Sequence, residues 1–342
     1  MKRVSTLFVL AVLMAPVGLF AIERVGTTAF QFLKLPVGVR GIGMGGAFVA
    51  GAADASAVYW NPAGLGWARN KEVLFAHINL PADIRYDNVA LALPFSAAIG
   101  TFGLNVGVLS MGDFAVRTAE NPEGTGELVT AYDLMLGLSY SRQISDRFSF
   151  GLSARYVRED LADFVANGVT FDAGLLYQTD FRSMRLGMVI QNFGPDAGFG
   201  GSFLDLRTST GTTGQPIERE FESAPMPITF KAGVMADLES FLGLQMGENL
   251  QGNIVGQFEH PADIKERVNG GLELVMSQKL ALRGGYNFSH DTDTFTLGVG
   301  FQVPMSGNKN LKIDYAYADQ GDLTDTSTFM NQPHRFSLSF QF

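Results

Sequence analysis

No cysteine occurs among the 342 residues, which removes disulfide frameworks and thiolate-held zinc or iron–sulfur centres from consideration. Charge is scarce too: 17% of residues are charged, against about 25% in an average soluble domain. A chain so poor in charge buries an unusual share of itself or sits in lipid. Positive charge is the scarcer sign, with 25 Lys and Arg against 34 Asp and Glu. Neutralising phosphates needs a basic face, so nucleic acid is not an expected partner. A convincing apolar helix is missing as well. Residues 88–112 carry no charge, but Pro94, Gly100, Gly103 and Gly107 interrupt them. Two strands turning near 94–98 fit that stretch better than a membrane helix.

Chemistry is equally thin. The four histidines, His77, His260, His290 and His334, have no metal-ligand spacing. Asp291, Asp293, Asp322 and Asp325 read as loop acids, so no metal site is expected. No G-x-S-x-G elbow or triad pattern appears; the chain is expected not to be an enzyme and to need no cofactor. Gly41-x-Gly43-x-x-Gly46 matches the dinucleotide fingerprint, but no βαβ unit surrounds it and Asp54 follows too early.

What is present begins with a leader. Lys2 and Arg3 precede the apolar run Leu7–Met14, Pro16 and Gly18 break it, and Ala21 is small enough for cleavage. That is the plan of a secretory signal peptide over residues 1–21. Glycine is abundant, 40 residues, with no collagen period to absorb it.

Period-two alternation is the dominant signal. Phe148, Phe150, Leu152, Ala154 and Tyr156 alternate with Arg147, Ser149, Gly151, Ser153 and Arg155. The chain ends Phe336, Leu338, Phe340, Phe342 against Ser337, Ser339, Gln341. Such runs predict fourteen strands, near 71–80, 83–93, 98–111, 128–143, 146–160, 166–180, 184–194 and 226–239. The remainder fall near 250–260, 264–277, 279–289, 293–304, 310–319 and 334–342. The three longest connections, 112–127, 195–225 and 320–333, all follow odd strands and therefore share one end. Most of the others are tight turns, with 240–249 the exception. Short turns opposite long loops are the rule for transmembrane barrels. Tyr132, Tyr140, Tyr156, Tyr177, Tyr286 and Tyr317 punctuate strand ends as an interfacial girdle does. Arg147, Arg155, Glu273 and Arg283 fall on the expected lumen face. The predicted fold is all-β: an outer-membrane antiparallel barrel of about 14 strands over residues 67–342.

Residues 22–66 precede the first strand and are rich in Gly and Ala. Gly41, Gly43, Gly45 and Gly46 allow close backbone approach. Asp54 can cap a short helix over Ala55–Trp60, which Asn61-Pro62 would end. Such a segment can fold into a fourteen-stranded lumen as a plug; a short domain on the surface is the alternative.

The stretch RGIGMGGAFVAGAADASAVYWNPAGLG closely resembles the N-terminal motif of PorV/PorQ-type outer-membrane proteins. More distantly it resembles the NPA-bearing hatch of FadL-type fatty-acid transporters. The likeness continues in AYDLMLGLSYSRQISDRFSFG and in Val189–Asp196. It implies a plugged fourteen-stranded barrel. FadL-type members pass apolar ligands when the plug shifts, whereas PorV-type members receive exported cargo proteins in type IX secretion. On that basis Phe30, Phe32, Phe48, Tyr59 and Trp60 are candidates for apolar contacts, and Asn61-Pro62 for positioning the plug. Terminal Phe342 resembles the signal read by barrel-assembly machinery. The expected partners are outer-membrane lipids, that machinery, and either a hydrophobic small molecule or a secreted cargo protein.

Overall fold

The computed structural model describes residues 25–205, 217–243, 245–288, 294–307, 309–319 and 333–342. The expected leader, His290, Asp291, Asp293, Asp322 and Asp325 lie outside them.

Fourteen strands close into one antiparallel barrel. They are β1 (Glu72–Asn79), β2 (Arg85–Pro94), β3 (Thr101–Ser110), β4 (Ala131–Ser145), β5 (Phe148–Leu161), β6 (Phe164–Gln178) and β7 (Arg185–Phe193). The second half comprises β8 (Thr229–Asp237), β9 (Leu250–Pro261), β10 (Arg267–Met276), β11 (Leu280–Phe288), β12 (Phe295–Pro304), β13 (Asn310–Ala318) and β14 (His334–Gln341). Each strand pairs with its neighbours in sequence, and β14 returns to β1 with Val73 opposite Phe340 and Phe75 opposite Leu338. A slip of one residue there would turn every side chain to the wrong face, so the alternation itself sets the closure register.

Outward positions are apolar and uncovered by protein. Leu138 is 55% exposed and Leu152 52%, and Ile190, Leu297 and Phe301 belong to the same band. A belt of this extent is a surface that lipid covers. Inward positions are small or polar and buried: Ser139, Ser141, Ser149, Ser153, Arg155, Asp172. All six girdle tyrosines face outward. No helix among the described residues is long and apolar enough to cross a membrane, so strands do the crossing.

The strand ends that the long connections 111–130, 194–228 and 319–333 join all lie at one end, which loop length marks as external. Two carry small hairpins, Phe114–Ala115 with Leu128–Val129 and Ser202–Asp205 with Ile217–Glu220. On the opposite, periplasmic side the turn-side exception at 238–249 contains a one-turn helix, Leu238–Leu242.

The segment before β1 packs against inward-facing residues of the wall. It forms a 3₁₀ turn Gln31–Lys34, a one-turn helix α1 (Val39–Ile42), a second α2 (Ala57–Trp60), and a longer 3₁₀ segment Pro62–Trp67. The plug core is nearly dry: Phe48, Val37, Met44 and Leu65 are fully buried. Each such side chain contributes about 1.5–3 kcal/mol of transfer free energy.

Two details differ from the sequence expectations. Arg147 does not line the lumen; it sits in the tight β4–β5 turn, paired with Asp180 of the next turn. Alternation runs through that turn because both flanking strands share it, which hides the boundary. Asp54 does not cap the helix at Ala55. The helix starts at Ala57 after Ser56, and no side chain caps it. Asp54 instead accepts from the Ser56 backbone N–H at 3.0 Å and from its hydroxyl at 2.5 Å.

Candidate functional site

The plug is seated on glycine. A Cβ built on Gly151 of β5 would stand 2.3 Å from the Pro62 carbonyl carbon. One on Gly285 of β11 would stand 2.0 Å from the Gly45 nitrogen, and one on Gly271 of β10 2.4 Å from the Met44 oxygen. These glycines face inward from nearly opposite walls, so plug backbone touches strand backbone across the lumen. Gly45 and Gly46 also take φ of 72° and 73°, a conformation glycine adopts without steric cost. Part of the glycine excess thus serves as a docking surface. Gly41 serves the plug itself, since a Cβ there would meet the Trp60 ring at 2.6 Å.

Asn61 bonds to both plug and barrel. It is fully buried, and its amide donates to Val49 O at 3.1 Å within the plug and to Leu175 O at 3.0 Å on β6. Its side-chain oxygen accepts from Ala63 N at 3.1 Å, capping the Pro62–Trp67 turn. Gly174 opens the room for it: a Cβ there would be 2.0 Å from Asn61 Oδ1. The Ala63 carbonyl then accepts from Ser141 at 3.1 Å and Ser149 at 2.8 Å. Asn61→Ala is expected to lower the plug's melting transition, followed by tryptophan fluorescence, by about 1–3 kcal/mol for each buried partner left unpaired. Asn61→Asp should do similar damage, because a carboxylate cannot donate to the Val49 and Leu175 carbonyls.

Three ionic clusters hold the rest. In the first, Glu273 of β10 accepts from Arg40 Nε at 2.9 Å and Nη2 at 2.6 Å, from Arg283 Nε at 2.8 Å and from Asn253 at 3.1 Å. Arg283 reaches on to Asp314 at 2.6 Å, and Arg40 lies 3.8 Å from Asp54. Burial alone would lower the Arg40 pKa, but the Glu273 carboxylate overrides it and holds the guanidinium above its ordinary value. In the second, Arg155 pairs with buried Asp172 and donates to Asn192 at 3.1 Å and to the Val58 carbonyl at 3.0 Å. Two of the four lumen charges expected from alternation, Glu273 and Arg155, therefore hold the plug directly, and Arg283 supports it.

The third cluster is external. Asp263, in the β9–β10 loop, is 2% exposed. It accepts from Thr28 at 3.0 Å and Gln31 at 3.4 Å, and pairs with Lys34. Ala29 N donates to Pro225 O at 2.9 Å, and Phe30 sits at φ 48°, a left-handed conformation rare for a bulky residue. Residues 28–34 are therefore clasped to the external loops. Burial by itself would raise the Asp263 pKa, but the Lys34 ammonium and the Thr28 and Gln31 donors more than offset that and hold it below its ordinary value. A depressed carboxylate contributes stability above its unfolded pKa, about 3.9, and loses it as pH falls through the folded value. Hydrogen exchange of residues 28–35 should accordingly be slow at pH 7 and pH 5 and accelerate only below about pH 4. Asp263→Asn should show the fast exchange already at pH 7.

Three of the five aromatic candidates, Phe48, Tyr59 and Trp60, stand together in the plug interior, while Phe30 and Phe32 are buried in the segment clasped to the external loops. Phe48 and Trp60 meet edge-on with centroids 5.9 Å apart, and Tyr59 and Trp60 likewise at 5.1 Å. Phe30 packs on Gly168 and Met226 beneath the external loops. Lys231 of β8 lies 5.6 Å from the Tyr59 ring and 5.8 Å from the Trp60 ring. Burial pushes the Tyr59 hydroxyl above its ordinary pKa. Tyr59 also borders a water-sized gap of about 20 Å³ beside Lys34, Lys231 and Glu259.

The larger opening lies below the plug, on the periplasmic side. It is a cavity of about 280 Å³ lined by Arg40, Asp54, Glu72, Lys279, Lys312 and their neighbours. It is a charged vestibule, and none of the five aromatics borders it. Among the described residues no group of three or more His, Asp or Glu could hold a metal ion. In Gly41-x-Gly43-x-x-Gly46, Gly43 faces β11 and β12 and Gly46 faces β10, while Gly41 turns to Trp60. Sequence reasoning missed Asp263 in its loop, Lys34 in the plug and Lys231 on β8, whose only signal was an isolated charge.

The family described as "Type IX secretion system protein PorV" matches residues 21–199, from before the plug through β7. The chain belongs to that family. No curated protein matches it in sequence. Among solved structures, a FadL homologue of Pseudomonas aeruginosa aligns with TM-score 0.53 and 13% identity, over 94% of this chain and 99% of that one. The toluene transporter TbuX of Ralstonia pickettii gives 0.51 and 13%, over 89% and 97%. The toluene transporter TodX of P. putida gives 0.51 and 12%, over 89% and 96%. At such identities the likeness shows a shared fold, the FadL-like outer-membrane barrel. Family and fold are those of transport and secretion barrels rather than of enzymes.

Proposed function

We propose that this PorV-family barrel is non-enzymatic and passes or holds hydrophobic molecules across the outer membrane by passive, plug-gated transport. The observation that carries this reading is the seal itself. A dry, aromatic-cored plug fills the lumen yet is fastened by ion pairs and hydrogen bonds, bonds that water can replace when the plug shifts. A shift would uncover Phe30, Phe32, Phe48, Tyr59 and Trp60 as apolar contacts, while Asn61-Pro62 fixes the resting position. In passive transport the ligand itself must favour the displaced state. Barrels of the same fold are named toluene transporters, which agrees with an apolar cargo. Mass spectrometry of the native barrel should find a bound lipid, fatty acid or other apolar molecule. Absence of any such ligand, together with unchanged uptake in a deletion strain, would overturn the reading.

The family match favours a second reading, a docking component for proteins exported by type IX secretion. The external connections 111–130 and 194–228 would supply the surface. Crosslinking from these loops in secreting cells should then capture an exported protein, and capture of none would count against it.

Two further points complete the proposal. The leader is cleaved near Ala21, which N-terminal sequencing of the mature protein tests. Phe342, whose backbone N–H donates to Lys71 O at 2.9 Å beside the β1–β14 closure, is read by barrel-assembly machinery. Deleting it should lower the folded amount in the membrane without changing the fold of what is inserted.

A further inference from the structure

The connection 238–249 is the longest between described strands on the periplasmic side, and its helix is well made. Asp237 accepts from Ser240 N at 2.7 Å to start α3 (Leu238–Leu242), and Gly243, at φ 68°, ends it by donating to Glu239 O at 2.8 Å. The helix folds back against the outer wall. Leu238 rests on Gly252 of β9, where a Cβ would stand 2.9 Å from Leu238 Cβ. Gly252 shares its face with outward-pointing Ile254 and Phe258. The α3 turn therefore lies on the membrane side of the barrel.

Beside it the β6–β7 turn carries Arg182. Its guanidinium sits 5.2 Å from the Phe181 ring and 5.9 Å from the Phe241 ring, and donates one N–H to the Phe241 carbonyl. The other N–H groups of Arg182 carry no hydrogen bond among the described residues. Phe181 is 47% exposed and Leu242 52%, both in periplasmic connections, where a barrel of this kind meets the boundary between acyl chains and headgroups. An apolar surface topped by an arginine is the arrangement by which side chains span that boundary. The open guanidinium fork matches phosphate oxygens.

We propose that this corner is a phospholipid seat. Arg182 takes the phosphate of an inner-leaflet phospholipid, and Phe181, Phe241 and Leu242 take the start of its acyl chains. A lipid is the occupant favoured over a periplasmic protein because α3 is packed onto the lipid-facing wall.

The test is native mass spectrometry of the full-length barrel, delipidated in detergent and titrated with dioleoyl-phosphatidylglycerol or dioleoyl-phosphatidylethanolamine. The wild type should retain lipid, with Arg182→Gln weakening retention about tenfold, as expected for loss of a charge-assisted phosphate contact. Arg182→Lys should fall between, since it keeps charge but not the fork. Leu242→Asn should weaken lipid binding while leaving sensitivity to Arg182→Gln intact. Heat-modifiable migration of each variant checks that the barrel has folded. Equal retention by wild type and Arg182→Gln would overturn the proposal. So would displacement of the lipid by an equal concentration of inorganic phosphate, which would make this a plain anion site. Crosslinking from position 242 to a protein instead of lipid would overturn it as well.

Discussion

Glu273→Ala is expected to unseat the plug while leaving the barrel intact. Glu273 is 1% exposed and serves two guanidinia at once, Arg40 from the plug and Arg283 from β11. Removing a buried carboxylate from such a group leaves cations without their counter-charge, a change that costs about 3–5 kcal/mol when both partners are fully buried. The Arg40 side chain is 31% exposed and Asp54 and Asp314 remain nearby, so the low end of that range applies. The cost falls on the plug, because Arg40 can leave and Arg283, fixed on a strand, cannot. In planar bilayers the wild type should be closed and Glu273→Ala should show flickering conductance. Adding Arg40→Ala should partly restore closure, since the remaining cation of this cluster, Arg283, still has Asp314 at 2.6 Å. A non-additive double variant of this kind is the signature of a direct pair. If Glu273→Ala is as silent as the wild type, the ion pair does not hold the plug.

Much of this architecture was legible in the primary structure, for a definite physical reason. A strand with lipid on one side and a filled lumen on the other must alternate strictly, so Phe295, Leu297, Val299, Phe301 and Val303 announce their face without any knowledge of their partners. Loop parity placed the two ends, because antiparallel connectivity leaves no freedom once strands are counted. Pairing across the lumen was not legible. Asn61 meets Leu175 at a separation of 114 residues, and Thr28 meets Asp263 at 235. No local period carries such information. Arg147 misled because turn residues inherit the parity of their strands. The plug aromatics show the same limit. A buried ring that faces another ring, as Trp60 faces Phe48 and Tyr59, has the same composition signal as one awaiting a ligand. Glycine was visible as an excess, but its use as a seat for the plug required the opposing backbone.

That seat carries the second large prediction. Gly285→Ala places a Cβ 2.0 Å from Gly45 N and 2.3 Å from Met44 C, and neither backbone atom belongs to a flexible side chain that can step aside. Overpacking of this kind costs about 1–3 kcal/mol. Alanine suits the strand itself, so the barrel should still assemble and the strain should move the plug. The Gly45 N–H would then lose its 2.9 Å bond to Thr296. With Gly285→Ala alone the plug is pressed from one wall only. Combined with Gly151→Ala, whose Cβ would press Pro62 at 2.3 Å from the other wall, it is pressed from both. The double variant should therefore exceed the sum of the single ones, read as conductance and as protease cleavage within residues 35–68. Gly284→Ala is the control: it is the neighbouring glycine on the lipid face, and a Cβ there meets nothing within 4 Å. Equal plug protection in the double variant and in Gly284→Ala would show that backbone contact with the wall does not set the closed position.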